Sequence, residues 1–164
     1  MDRLLFVISN IPWQKVGQRK VAPPEARVAM VEAAIAGHAG FEASRVELER
    51  GGDSYMAETL VELQEQNPQS DLFLVLGADA AAGIPTWRKA EHLADLATLV
   101  VVDRPGAPRF ELPGFRVERV TMPALAISST ELRERRHAGR SIDWLVPDAV
   151  QSVLDTWRLY RDQP

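Results

Sequence analysis

The sequence of 164 residues contains no cysteine, and this absence removes several classes of chemistry at once. Disulfide bonds, thiolate nucleophiles and thiolate metal sites are all excluded. Long hydrophobic runs are also absent, because the apolar stretch over residues 1–9 is too short to span a bilayer or to serve as a secretory signal. We therefore expect no membrane partner, and the cytoplasm is the default location.

Positive charge is not in excess either. The 19 Lys and Arg residues are outnumbered by 23 Asp and Glu residues, which gives a formal net charge of −4 at pH 7. Proteins that bind nucleic acid by neutralising phosphates usually carry a basic stripe, and no run of Lys or Arg stands out here. We expect no nucleic-acid partner. The length and the 46% hydrophobic content suit a single domain over residues 1–164 with its own core.

Short β-branched runs alternate with amphipathic segments, which is the pattern of βα units. The sequence therefore predicts an α/β fold with a Rossmann-like, mostly parallel sheet flanked by helices. Continuous apolar runs are typical of parallel strands that are covered on both faces. Predicted strands cover residues 4–8, 45–49, 72–76, 98–102 and 116–121, the last at a sheet edge. Predicted helices begin near residues 24, 55, 88, 129 and 147, and the last has Val150, Leu154 and Trp157 on its inward face.

The clearest candidate site is a segment in the last third of the chain. Ser128 and Glu131 have the spacing of a capping box, which predicts a helix that begins at Ser129. The start of a helix offers unpaired N–H groups and positive dipole density to an anion. Ser129 and Thr130 add hydroxyls, and Arg133 one turn later can donate two parallel hydrogen bonds to a phosphate. An ordinary capped helix with a solvated arginine fits the same residues equally well.

A second candidate follows the strand predicted at 72–76, which runs straight into Gly77. Ligands of open α/β sheets bind at the carboxyl ends of strands, where a glycine lets them approach the backbone. Asp79 can accept hydrogen bonds from ribose hydroxyls there, and Trp87 can stack on an aromatic ring. The competing interpretation is that Asp79 caps a short helix while Trp87 fills the core.

Two further strand-to-helix junctions carry polar residues. In one, Ser54 is placed to cap the helix that follows, so taken alone the junction is better explained by a plain turn with a cap than by a ligand. The other is the loop over residues 9–15, in which Lys15 can reach a phosphate, although most loop lysines are simply solvated. The three histidines are scattered without metal-ligand spacing, so we predict no metal site in the protein.

Taken in order, these segments resemble one known family. The chain resembles the bacterial nicotinate-nucleotide adenylyltransferases of the nucleotidylyltransferase superfamily, which are enzymes of NAD biosynthesis. They transfer an adenylyl group from ATP to nicotinate mononucleotide and form nicotinate adenine dinucleotide and pyrophosphate. Single motifs are weak, but their common order covers nearly the whole chain. The segments that carry the resemblance are 3–15, 50–55, 76–79, 85–87, 102–106, 127–133 and 146–150.

The resemblance implies roles for individual residues, and a first group would bind ATP together with its Mg2+. This ATP group consists of Ser128, Ser129, Thr130, Arg133, Gly77 and Asp79. Arg133 and Lys15 would stabilise charge on the phosphates during an in-line displacement. The attacking phosphate of nicotinate mononucleotide is already an anion, so no protein base and no covalent intermediate is needed.

A second group would bind the nicotinate ring and its carboxylate. Trp87 would stack on the ring, and the backbone amides of Met56 and Arg88 would receive the carboxylate, next to Tyr55. The family usually has threonine where this sequence has Met56. A contact through the backbone amide survives this change, whereas a contact through a threonine hydroxyl does not.

The family also begins with a strand, a glycine-rich turn and a helix that carries a His-x-Gly-His motif, none of which occurs in the 164 residues. No catalytic histidine can therefore be assigned, and we expect little turnover from this chain alone. Two alternatives stay open. One is a related adenylyl- or cytidylyltransferase, and the other is a non-catalytic remnant that binds nucleotides or a protein partner. Oligomeric state is open as well, with a homo-oligomer among the alternatives.

Overall fold

The computed structural model describes residues 2–11, 21–103, 110–123 and 125–161. They fall into two compact units, which are described separately. Unit 1 comprises Met1–Ser54 and Ala126–Pro164, and unit 2 comprises Tyr55–Leu125. None of the helices in the described ranges has the length and apolar content that a membrane crossing requires. That residues 1–164 behave as one domain stays a prediction.

Helices and strands alternate along the chain. In chain order, the described ranges contain β1 (Leu4–Val7), α1 (Pro24–Ile35), β2 (Phe41–Ser44), α2 (Val46–Arg50), α3 (Met56–Gln66), β3 (Phe73–Gly77), α4 (Ala78–Ala82), α5 (Ala90–Leu96), β4 (Thr98–Asp103), β5 (Val117–Thr121), α6 (Ser129–His137) and α7 (Asp148–Thr156). A single 3-10 turn over Ile84–Thr86 lies between α4 and α5. The strands pair in parallel in both sheets, as the alternation of βα units predicts.

Unit 1 combines a two-stranded sheet with packed helices. β1 and β2 pair with Leu4 opposite Phe41, and α1 connects them. α1 begins at Pro24, whose fixed φ and missing N–H suit the first turn of a helix. α1 packs against α7. The buried core around these helices consists of Ala22, Ala26, Ile142, Val150, Leu154 and Leu159.

Unit 2 is built around β4, the central strand of a parallel three-stranded sheet in the order β3-β4-β5. Leu99 and Val101 of β4 are fully buried. β5 lies at an edge of this sheet, as its alternating sequence predicts. The buried core of unit 2 consists of Ala57, Leu60, Leu74, Ala81, Ile84, Leu93, Ala97, Leu99, Val101 and Leu112.

The strand predicted over residues 45–49 is wrong, because residues 46–49 lie in α2 and Arg45 is its N-cap. Their apolar and acidic side chains alternate, which favours a strand on sequence alone. The backbone instead closes helical hydrogen bonds, from the N–H of Glu49 to the Arg45 carbonyl and from the N–H of Gly51 to the Glu47 carbonyl. Gly51, at φ 73°, ends the helix in a conformation that glycine adopts readily. The strand of this region is β2, directly before α2.

Two further local predictions are wrong. Ser54 does not cap α3, whose N-cap is Tyr55 without a side-chain hydrogen bond. The Ser54 hydroxyl oxygen instead accepts a hydrogen bond from the N–H of Asn10 at 2.8 Å. Trp157 lies beyond the end of α7 and is 43% exposed, whereas Val150 and Leu154 are buried as predicted. In both cases a tertiary contact or the end of a helix overrides a pattern read from neighbouring residues.

Candidate functional site

Helix α6 in unit 1 begins where the capping pattern predicts. Ser128 is its N-cap, and the Ser128 Oγ accepts a hydrogen bond from the N–H of Glu131 at 3.1 Å. The Glu131 carboxylate pairs with Arg135 Nε at 3.1 Å instead of returning to the Ser128 amide, so half of the capping box forms. Within the described ranges, no group accepts a hydrogen bond from the backbone N–H of Ser129 or of Thr130. These two N–H groups are therefore available to an anion.

Arg133 lies one turn into α6 and is directed toward the start of the helix. Its Nη2 donates to Thr130 Oγ1 at 3.3 Å, and its guanidinium carbon lies 5.9 Å from the centroid of the Tyr160 ring. Of the residues that the structure describes, no carboxylate pairs with Arg133. The predicted cluster of hydroxyls, amides and one cation is therefore present within a single turn.

The loop after β1 is joined to the loop after α2. The N–H of Asn10 donates to Ser54 Oγ at 2.8 Å, and Asn10 Nδ2 donates to the Gly52 carbonyl at 2.9 Å. The N–H of Ser54 donates in return to the Ile11 carbonyl at 3.1 Å. These bonds bring together two segments that the sequence singled out separately, both within unit 1.

Arg27 holds the same loop from α1, and sequence reasoning missed it. Its guanidinium donates to the Ser9 carbonyl, to the Asn10 carbonyl at 3.2 Å and to the Ala22 carbonyl at 3.1 Å. Burial lowers the pKa of Arg27, while the proximity of Tyr160 and then of Glu47 opposes this shift. The available signal was that Arg27 is the single cation of α1, placed between two small apolar residues that are buried.

In unit 2, Gly77 is the last residue of β3 and precedes α4. Its register partner is Val102 on β4, so the carboxyl ends of both strands meet at one edge of the sheet. Asp79 lies exposed in the first turn of α4. No side chain caps α4, so the interpretation of Asp79 as a helix cap is wrong. Its carboxylate is accessible at the position where ligands of such sheets bind.

Trp87 is half-buried and combines parts of both interpretations made from the sequence. It packs against the core cluster of unit 2. Its indole Nε1 lies 3.6 Å from the place that a Cβ on Gly83 would occupy, an ordinary van der Waals distance, so the ring lies directly beside Gly83. Part of the ring surface stays exposed. The buried part anchors the side chain in the core of unit 2, and the exposed part can contact a ligand.

Tyr55, Met56 and Arg88 lie together in unit 2. The Arg88 guanidinium carbon is 4.5 Å from the centroid of the Tyr55 ring, within the range of a cation–π contact. Met56 is the first residue of α3, and no side chain caps that helix. Lys89 Nζ pairs with Glu58 Oε1 of α3 at 3.6 Å. The start of α3 therefore presents backbone amides beside a cation, a combination that suits a carboxylate.

Two other predictions are that Lys15 reaches a phosphate and that the protein has no metal site. Lys15 lies outside the described residues. Among the residues inside them, no three His, Asp or Glu side chains are grouped so that they could hold a metal ion.

The sequence matches a known family. Residues 1–135 match the family model described as Cytidylyltransferase-like. The chain is also similar to curated proteins named "Probable nicotinate-nucleotide adenylyltransferase". The one from Corynebacterium kroppenstedtii is 44% identical over 164 residues, which cover 98% of this chain and 77% of that protein. One from Thermus thermophilus is 44% identical over 161 residues, and the shares are 98% and 84%. For Streptomyces coelicolor, identity is 42% over 165 residues, with shares of 99% and 87%.

Solved structures share the fold. The Plasmodium falciparum nicotinic acid mononucleotide adenylyltransferase complexed with NaAD aligns with a TM-score of 0.77 at 16% identity, over 98% of this chain and 83% of that one. The same enzyme complexed with APC aligns with a TM-score of 0.75, also at 16% identity and over the same shares of the two chains. At such identities the likeness concerns the fold. The predicted Rossmann-like α/β fold with parallel strands is confirmed.

Proposed function

Because the chain belongs to the nicotinate-nucleotide adenylyltransferases, within the Cytidylyltransferase-like family, we propose that it transfers an adenylyl group from ATP to nicotinate mononucleotide. The products are nicotinate adenine dinucleotide and pyrophosphate, and the reaction is a step of NAD biosynthesis. The observation that carries this proposal is the identity of 42–44% to relatives of that name over almost the whole chain.

Unit 1 would supply the contacts to the ATP phosphates. The amides of Ser129 and Thr130, from which no described residue accepts a hydrogen bond, and the dipole of α6 favour an anion, and Ser128 holds this helix start in place. Arg133 adds a positive charge directed at the same point, and Lys15 would add a second. The attacking phosphate is itself an anion, so the displacement needs positioning and charge neutralisation rather than a protein base.

Unit 2 would bind the nicotinate group and a ribose. The exposed part of the Trp87 ring would stack on the pyridine ring, and the amides of Met56 and Arg88 would receive its carboxylate. Asp79 and Gly77, at the carboxyl end of β3, would line the ribose and phosphate region. Nicotinamide carries no negative charge at the ring substituent. The proposal therefore includes a preference for the nicotinate form.

Mg2+ enters the proposal bound to ATP as part of the substrate. Phosphate oxygens and water usually supply most Mg2+ ligands in such complexes. A cytoplasmic location stays a prediction, and the oligomeric state stays open. Cell fractionation tests the first, and size-exclusion chromatography with light scattering tests the second.

The direct test supplies the purified protein with Mg2+–ATP and one acceptor at a time. The acceptors are nicotinate mononucleotide, nicotinamide mononucleotide and phosphopantetheine, and products are identified by mass spectrometry. Since little turnover is expected from this chain alone, the ratio of the products decides the test. Nicotinate adenine dinucleotide should form from the first acceptor, with at least about tenfold less product from the second, because its neutral amide loses charge-assisted contacts. Faster reaction with phosphopantetheine, or cytidylyl transfer from CTP, would assign the chain to another reaction of the superfamily.

A matched pair of tryptophan variants tests the nicotinate contact. Trp87→Ala should raise the KM for nicotinate mononucleotide by about five- to tenfold, because it removes the stacking surface. Trp157→Ala removes a tryptophan from unit 1 that the proposal does not use, and it should leave that KM unchanged. Equal effects of the two variants would show that Trp87 has no specific role in binding the ring.

A further inference from the structure

The chain beyond α7 forms a turn with unusual backbone geometry. We call residues 157–160 the C-terminal turn. Arg158 and Tyr160 have φ values of 49° and 56°, in the left-handed region that residues with a Cβ seldom adopt. Such residues persist where surrounding contacts hold them. Leu159 between them is buried in the core of unit 1, and its N–H donates to the Leu154 carbonyl at 2.9 Å.

Arg136 of α6 holds the C-terminal turn through an ion pair and a hydrogen bond. Its side chain is 8% exposed, and its Nη2 pairs with Asp155 Oδ1 at 2.9 Å. Its Nε donates to the Leu159 carbonyl at 3.2 Å. Arg161 Nη2 pairs with the same Asp155 oxygen at 2.6 Å. The turn is therefore fixed to the helix that also carries Arg133, three residues before Arg136.

The arginines of α6 differ in their partners. Arg135 pairs with Glu131, and Arg136 pairs with Asp155. Arg133 has only uncharged partners in the described part of the chain, namely the Thr130 hydroxyl and the face of the Tyr160 ring. A carboxylate would compete with a phosphate for the guanidinium. An aromatic face attracts the cation from one side and leaves its in-plane N–H donors free.

Tyr160 also lies close to a second cation of unit 1. The proximity of Tyr160 raises the pKa of Arg27, although burial, the larger effect, lowers it. Arg27 is the residue that holds the loop after β1. The Tyr160 side chain is half-buried and packed against the unit 1 core, so the ring has a fixed place beside Arg133.

We propose that Tyr160 is a positioning residue for Arg133, whose guanidinium the ring face holds toward an anion at the start of α6. The Thr130 contact supports this direction, because Thr130 lies in the first turn of that helix. The inference rests on the proposed function, since the anion would be the triphosphate of ATP. Tyr160 does not touch the reacting atoms. It limits the orientations of Arg133 before ATP binds, so less conformational freedom is lost on binding.

Calorimetric titration of the full chain with ATP, and with adenosine as a ligand that lacks phosphates, tests the inference. We expect Tyr160→Leu to weaken ATP binding by about two- to fivefold, which is the range of one cation–π contact at an exposed site, without changing adenosine binding. Tyr160→Phe keeps the ring and should bind ATP as the unaltered chain does. Trp157→Leu is the matched control, because it removes an exposed aromatic side chain from the same turn.

Arg133→Ala separates the inference from the proposed function. It should weaken ATP binding by about tenfold or more, the scale of a hydrogen bond to a charged group. If Arg133→Ala has this effect and Tyr160→Leu has none, the inference falls and the proposed function stands. Equal loss of ATP and adenosine binding in Tyr160→Leu would show a merely structural role and overturn the inference. If the unaltered chain does not bind ATP, or Arg133→Ala has no effect, the proposed role of unit 1 falls first.

Discussion

Each of the two units is stabilised by its own type of interaction. Unit 2 has an aliphatic core, in which Leu99, Val101 and Ile84 are fully buried. Unit 1 has a smaller sheet, and its arginines bind carbonyls that lie far away in the sequence. Arg27 holds the loop after β1, and Arg136 holds the C-terminal turn. Unit 1 thus uses one residue type both for its own structure and, in the proposed function, for binding phosphate.

The largest expected effect comes from removing core volume in unit 2. Leu99→Ala should lower the free energy of unfolding by about 2–5 kcal/mol, because the fully buried side chain leaves a cavity at the centre of the sheet. Urea unfolding followed by circular dichroism measures this loss. Val75→Ala, at an exposed position of β3, is the control and should cost less than about 1 kcal/mol. Similar costs at both positions would contradict an aliphatic core centred on β4.

The corresponding change in unit 1 removes a guanidinium. Arg136→Met keeps much of the apolar stem but deprives the Leu159 carbonyl and Asp155 of a donor, which should cost about 1–3 kcal/mol. Hydrogen exchange at α7 and the residues after it should speed up, while exchange in β4 stays unchanged. Arg161→Met, whose side chain is 55% exposed, should cost at most about 1 kcal/mol. Faster exchange in β4 as well would mean that the units do not differ in this way.

The cap of α6 is expected to matter less. Ser128→Ala removes the acceptor of the Glu131 N–H and should cost about 0.5–2 kcal/mol. Ser129→Ala is the matched control, because the Ser129 hydroxyl has no partner among the described residues. Chemical denaturation of both variants tests the cap. Equal stabilities would show that the half-formed capping box contributes nothing measurable.

The smallest effect concerns an exposed ion pair of unit 1. Arg45 pairs with Glu25 at 2.6 Å, and this hydrogen bond lowers the pKa of Glu25 from its ordinary value of 4.5. A lowered folded-state pKa stabilises the fold above the unfolded-state value, and the contribution is lost as the pH falls through the folded-state pKa. Glu25→Gln should therefore make stability fall slightly less steeply below about pH 4.5. Arg45→Met should give the same dependence of stability on pH. If the stability of either variant instead falls in parallel with that of the unaltered chain, the ion pair does not contribute to this pH dependence.

Local signals predicted much of the fold where tertiary contacts agree with them. The apolar runs of β3 and β4 are strands, and α6 begins at Ser129 as its cap indicates. The strand predicted at residues 45–49 failed because its alternation also fits a short helix. The prediction that Ser54 caps α3 failed because a hydroxyl that can cap a helix can equally accept a hydrogen bond from a distant amide, here that of Asn10.

The candidate site was predictable in part. The hydroxyls, amides and cation at the start of α6 share one helical turn, so their spacing in the sequence carries their geometry. The contacts of Arg27 with Ser9 and of Tyr160 with Arg133 join residues 18 and 27 positions apart, and no local pattern reports them. The ligands that the residues of unit 1 and unit 2 bind stay predictions until the variants are measured.

Unit 1 is discontinuous in the sequence, since its two segments flank all of unit 2. This has a consequence for synthesis on the ribosome, where the chain emerges from its N-terminus. The core residues of unit 2 lie between positions 57 and 112, so they are all available while translation continues. α1 must wait for α7, more than 100 residues later, before it can pack. Pairing over such separations is slow, and unit 1 can complete its core only after α7 has been synthesised.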